Sequence, residues 1–97
     1  MEKTDGKRFK ICGKIVLRRI GDEVLLVPVS GPAAGGRVYP LNETARMIWD
    51  GLSAGVDCDQ IADRLANTFD VSRDQALADC ADCALMMVAE SLLEEVF

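Results

Sequence analysis

The sequence predicts an α+β fold, with an N-terminal β-hairpin and a short third strand followed by a three-helix bundle. Three observations predict it. Two runs rich in β-branched and aliphatic residues meet at Gly21-Asp22. After Asn42, apolar residues recur at helical spacing in three successive segments. Each of those segments starts after a capping residue: Asn42, Asp57 and Ser72.

The elements follow in chain order. Residues 1–8, "MEKTDGKR", are polar and are expected to form a flexible N-terminus, leaving residues 9–97 as a single domain. Ile15 to Ile20 and Val24 to Val29 form the hairpin, because glycine at position 21 accepts the positive φ of a tight turn. "SGPAAGG", residues 30–36, reads as a loop with nothing to pack. "RVYP", residues 37–40, allows only a short strand, since Pro40 has no N–H for a ladder and suits an edge.

In the first helix Ala45, Ile48, Trp49 and Leu52 make the apolar stripe, and Gly51 and Gly55 are expected to break it. Trp49 therefore reads as core and Asn42 as a cap. The second helix turns Ile61, Ala62 and Leu65 inward, and Phe69 follows it toward the core. Ser72 opens the third, where Ser72 and Gln75 fit a capping box. That helix is expected to run to about Glu95 with Leu77, Ala81, Ala84, Leu85, Val88 and Leu92 on its core face. A three-helix bundle carrying a β-wing is a winged helix-turn-helix-like architecture, here with the wing strands first.

Composition narrows the function. Ninety-seven residues, 49% hydrophobic and 28% charged, suit one globular core. No apolar run approaches the ~20 residues a spanning helix needs, and "MEKTDGKRFK" has no signal-peptide core. The expected location is cytoplasmic, with no membrane partner. The net charge of −5 is uneven: residues 1–50 hold nine basic and six acidic side chains, and residues 51–97 hold two and ten. A winged-helix DNA-binding regulator is the alternative such a fold suggests, but it needs a basic recognition helix, and these helices are acidic.

Catalysis finds little support. With no histidine, neither a Ser-His nor a Cys-His pair can be built, and "SGPAAGGR" lacks the Lys-Ser/Thr of a phosphate loop. Cys80 and Cys83 have Cys-x-x-Cys spacing but fall inside a helix, away from the N-terminus that would activate a thiol. Cys12 and Cys58 stand apart from them, so all four read as small apolar residues, with Cys58 the most reactive by its place beside a helix cap. No enzyme activity, cofactor or metal site is expected.

The order of pieces carries a resemblance. "LNETARMIWDGLSAG" and the "DQIADRLANTF" helix place Leu41, Asn42, Thr44, Ala45, Ile48, Trp49, Gly55, Ile61, Ala62 and Leu65 in a characteristic run. A hairpin ending in "VLLVP" precedes it. Over roughly residues 9–96 the chain resembles the PqqD-like proteins, also called RiPP recognition elements. The resemblance implies a non-catalytic peptide chaperone that binds the leader segment of a ribosomally made precursor peptide. It presents that peptide to a modifying enzyme, often a radical-SAM protein, in the synthesis of pyrroloquinoline quinone (PQQ) or another peptide product.

The resemblance also implies where the peptide lies: added as a strand against the third β-strand, beside the third helix. The corresponding residues here are Arg37, Val38, Tyr39 and Arg46, with Leu77, Cys80, Ala84, Met87 and Val88 along the helix. Their types suit the task. The "RVYP" edge is open to β-augmentation. "CALMMVA" is apolar nearly all round, with Cys83, Met86 and Met87 surplus to one core stripe, and methionine adapts to varied partners. Arg37 and Arg46 could pair with acidic side chains of a leader. The surplus apolar surface also leaves a homodimer open.

Overall fold

The computed structural model describes residues 7–96. The expected flexible N-terminus therefore falls largely outside the described residues. Two sheets and three helices follow in the order β1 (Arg8–Ile11), β2 (Lys14–Ile20), β3 (Glu23–Ser30), β4 (Tyr39–Leu41), α1 (Glu43–Ser53), α2 (Cys58–Thr68), α3 (Arg73–Ala89) and β5 (Leu93–Val96). The α+β expectation holds, hairpin and third strand included.

The β2–β3 hairpin turns at Gly21, whose φ of 62° is the conformation its lack of a Cβ permits. Along β3 the buried residues alternate, Val24, Leu26 and Pro28, so one face of the sheet covers the helices. β4 pairs antiparallel with β3, Val24 opposite Leu41 and Leu26 opposite Tyr39. The strand order is β2-β3-β4, which leaves the far side of β4 as an edge. The loop before it is not idle: Ala33 is buried in the core.

All three caps form as the sequence expects. Asn42 accepts from the Ala45 amide at 2.8 Å, Asp57 from Gln60 at 3.0 Å and Ser72 from Gln75 at 3.1 Å. The capping box at Ser72 is only half made, because the Gln75 side chain turns forward to donate to Asp79 at 2.8 Å. Gly51 does not break α1. It is buried inside the helix, where a Cβ would lie 2.6 Å from the Ile61 side chain, so the absence of a side chain lets α1 and α2 approach. Trp49, Leu52, Cys58, Ile61, Ala62, Leu65 and Met87 fill the core between the helices.

Two expectations fail at α3. The helix stops at Ala89, well short of Glu95. Its end is a Schellman arrangement: Ser91 sits at φ 62°, its amide bonds to Val88, and the Leu92 amide bonds back to Met87 at 2.9 Å. Leu92 and Met87 are both fully buried, the apolar contact that accompanies this motif. Glycine normally occupies that left-handed position, and here serine stands in it, so the stop signal is absent from the sequence. Replacing Ser91 by glycine removes the Cβ strain and should raise stability by about 0.5–1 kcal/mol in chemical denaturation.

The chain past Ser91 then forms β5, which pairs antiparallel with β1, Phe9 opposite Glu95 and Ile11 opposite Leu93. Neither strand is in the sequence-based expectation. Glu94 and Glu95 belong to this ribbon and not to a helix end. Lys10 lies 3.1 Å from Glu94, and Lys7 lies 3.6 Å from Glu95. The hydrogen bond and charge of Lys10 hold the Glu94 carboxyl below its ordinary value of 4.5. A carboxyl lowered by folding contributes stability above pH 4.5 that is lost as pH falls through its folded value. Amide protection factors across residues 8–11, corrected for the intrinsic pH dependence of exchange, should therefore fall on acidification over that range, and Lys10→Gln should remove most of that fall.

The second failure concerns the phase of α3. Its buried residues are Ala76, Cys80, Ala84 and Met87, about one position off the expected stripe. Leu85 is 65% exposed and Val88 39% exposed, while Met87 has no exposed surface. Small side chains at positions 76, 80 and 84 let α3 approach α2, with its buried Cys58, Ile61, Ala62 and Leu65, more closely than a row of leucines would.

Candidate functional site

The unpaired edge of β4 leads into a cleft against α3. The Tyr39 hydroxyl donates to Glu90 at 3.1 Å, at the C-terminal end of α3. The Arg37 guanidinium reaches the same carboxylate at 3.3 Å and lies 5.6 Å from the centroid of the Tyr39 ring. This contact closes one end. Partial desolvation and the bond to Glu90 push the Tyr39 phenol above its ordinary value.

Directly after β4, an open hollow of about 350 Å³ is lined by Asn42, Thr44, Ala45 and Ile48 at the start of α1 and by Asp79, Asp82 and Cys83 from α3. Positions 79, 82, 83, 86 and 90 share one helical face, and Met86 is 42% exposed on it. The floor is apolar and the α3 wall is acidic. An edge strand beside such a hollow can take an extended chain, with main-chain bonds to β4 and alternate side chains turned into the hollow.

The structure brings together only part of the expected set. Arg37, Val38 and Tyr39 lie at the open edge, Val38 being 47% exposed. Along α3 the expected contacts move away from the cleft. Cys80 and Met87 are fully buried and Ala84 is nearly so, which leaves a docked peptide no access to them. Leu77 packs against the core, and Val88 lines a separate small apolar hollow with Phe9, Ala81, Leu85 and Glu95. Arg46 forms an i,i+4 pair with Asp50 and borders a third hollow with Met47 and Phe69. The cleft instead uses Asn42, Thr44, Ala45, Asp79, Asp82, Cys83 and Glu90. Of these the sequence assigned only Cys83 to a possible binding face, as apolar surplus; Asn42, Thr44 and Ala45 stood in the family run as cap and helix residues.

The cysteines are quiet. Cys58 and Cys80 are buried, and the Cys80 thiol donates to the Cys58 sulfur at 2.8 Å. That bond, followed by burial, pushes the Cys80 thiol far up. Burial pushes Cys83 up to about 11. Cys12 donates to Glu94 at 3.6 Å, and desolvation together with that carboxylate raises it too. The expectation that Cys58 is the reactive one fails, because burial removes it from solvent despite its place beside the helix cap.

Nor does the helical surface suit nucleic acid. Arg73, one of two cations on α2 and α3, is held by the carboxylates of Asp59 and Asp63, the latter at 2.7 Å. Those two bonds raise the guanidinium pKa further and leave Arg73 committed within the fold. A phosphate backbone approaching α3 would meet Asp74, Asp79, Asp82 and Glu90 instead. Among the described residues, no helix is long and apolar enough to cross a membrane.

No curated protein matches the chain. Two solved structures do. TbiB1 in complex with the TbiA(beta) leader peptide is 27% identical, with a TM-score of 0.72 over 88% of this chain and 94% of that one. Lasso peptide synthetase B1 complexed with the leader peptide is 21% identical and shares the fold, with a TM-score of 0.77 over 90% and 98%. The family model for coenzyme PQQ synthesis protein D matches residues 23–93, from the second hairpin strand to the start of β5. The match spans most of the chain and takes in every element that walls the cleft, so the chain belongs to the PqqD family.

Proposed function

We propose that this chain is a non-catalytic module that binds the leader segment of a ribosomally synthesised precursor peptide and presents it to a separate modifying enzyme. The observation that carries the reading is the unpaired edge of β4, followed directly by Asn42 on the rim of the hollow between α1 and α3. Family membership supports it, as does the likeness to TbiB1, a protein solved with a leader peptide bound. The leader adds as a strand to Val38–Leu41 and sets side chains over Ala45 and Cys83. β4 is short and contains Pro40, so main-chain bonds are few and the hollow supplies much of the affinity. The enzyme partner acts on the peptide downstream of the bound leader. A radical-SAM enzyme of PQQ or related peptide biosynthesis fits the family.

An amide NMR titration of the labelled protein with precursor leaders encoded beside its gene tests this. Shifts concentrated at Val38–Ala45 and Asp79–Glu90 are expected. Saturable binding that instead shifts the α2 surface or the β1–β5 ribbon would overturn the placement, and no binding to any such leader would overturn the function.

A further inference from the structure

The walls of the cleft also specify the charge of what enters it. Asp79 and Asp82 face the hollow, and no Lys or Arg is among its lining residues. Asp82 is exposed and makes no ion pair or hydrogen bond among the described residues. Asp79 receives only the neutral Gln75 amide. Arg37, at the β4 end, is matched by Glu90, and Arg46 on α1 by Asp50. The remaining carboxylates of α2 that have a cation, Asp59 and Asp63, are satisfied by Arg73 away from the hollow. Two adjacent carboxylates on one helical face, without a counter-charge and beside an apolar floor of Ala45, Ile48 and Cys83, repel an acidic chain and attract a basic one.

We infer that the peptide this cleft selects is an extended segment carrying lysine or arginine beside an apolar anchor, its cation set against Asp79 and Asp82. The inference rests on the peptide-binding reading above and reverses the charge that Arg37 and Arg46 suggest when the sequence is read alone. Asp79 and Asp82 act as specificity-determining residues: the apolar side chain seats over Cys83 and Ala45, and the acidic wall discriminates between leaders. Because both pairs form at a solvated rim, each contributes about two- to threefold in affinity and is weakened by salt.

The test is selection from a displayed library of random 12-residue peptides against the full chain, followed by titration of fluorescein-labelled winners. Enrichment of Lys or Arg next to an aliphatic or aromatic residue is expected. Asp79→Asn/Asp82→Asn should then lose about fivefold in affinity for such a peptide and nothing for its Lys/Arg→Gln counterpart, with an unchanged melting temperature. Winners with no basic bias, or a bias that survives in the double variant, would overturn the charge inference while leaving peptide binding intact. A library that yields no binder, although the protein is folded, would overturn both readings.

Discussion

The Cys83→Arg variant is expected to bind leader peptide at least thirtyfold more weakly than the parent while melting within a few degrees of it. Cys83 is half-buried on the α3 wall of the hollow, one helical turn from Asp79 and next to Asp82. An arginine there lays its methylene stem across the apolar floor and its guanidinium between the two carboxylates. It takes the volume of the seated side chain and cancels the wall's charge together. Thirtyfold corresponds to about 2 kcal/mol, the loss of a single anchoring contact. Fluorescence anisotropy with a labelled leader reads the affinity, and circular dichroism checks the fold. Affinity within threefold of the parent would show that the peptide does not enter this hollow.

Leu52→Ala should produce the largest loss of stability among simple truncations, about 3 kcal/mol. Leu52 has no exposed surface and lies in the core with Ile48, Trp49 and Ile61. Removing three buried carbons forfeits their transfer free energy and leaves a cavity between helices that relax only partly. A domain of this size has about 5–15 kcal/mol in total, so the melting temperature should fall by ~10–20 °C. The single tryptophan remains in this variant and reports the urea transition. A loss below 1 kcal/mol would contradict the packing of α1 described above.

Much of the architecture was legible because its signals are local. Gly21-Asp22 turns the hairpin, and Asn42, Asp57 and Ser72 satisfy amides three residues on, interactions that need nothing from the rest of the chain. Trp49 and Leu52 were identifiable as core from α1 alone, because a helix with one apolar stripe can bury only that stripe. The "RVYP" edge was legible for a similar reason, since proline restricts where a strand can sit.

The cleft wall was harder. The second half of α3, residues 83–89, is apolar on nearly every side, and a stretch without a polar face carries little information about its own rotation. The choice of Ala76, Cys80, Ala84 and Met87 as the buried face was made by α2, whose Ile61 and Leu65 leave room for small partners. That rotation buried Cys80 and Met87 and turned Asp79, Asp82 and Cys83 into the hollow. It also gave two of the acidic residues a second meaning, as the wall of the hollow as well as evidence against DNA binding.

The ends of the domain show the same division. A three-residue Schellman closure at serine and a pairing of residues 8–11 with residues 93–96 are invisible to short-range pattern, because serine is not a stop signal and neither strand alternates clearly. The chain by itself determined its hairpin, the starts and caps of its three helices and one core helix, through interactions spanning a few residues. Only the tertiary structure decided the rotation of α3, the closing ribbon and the charge of the cleft, since each depends on groups far apart in sequence meeting in a shared core.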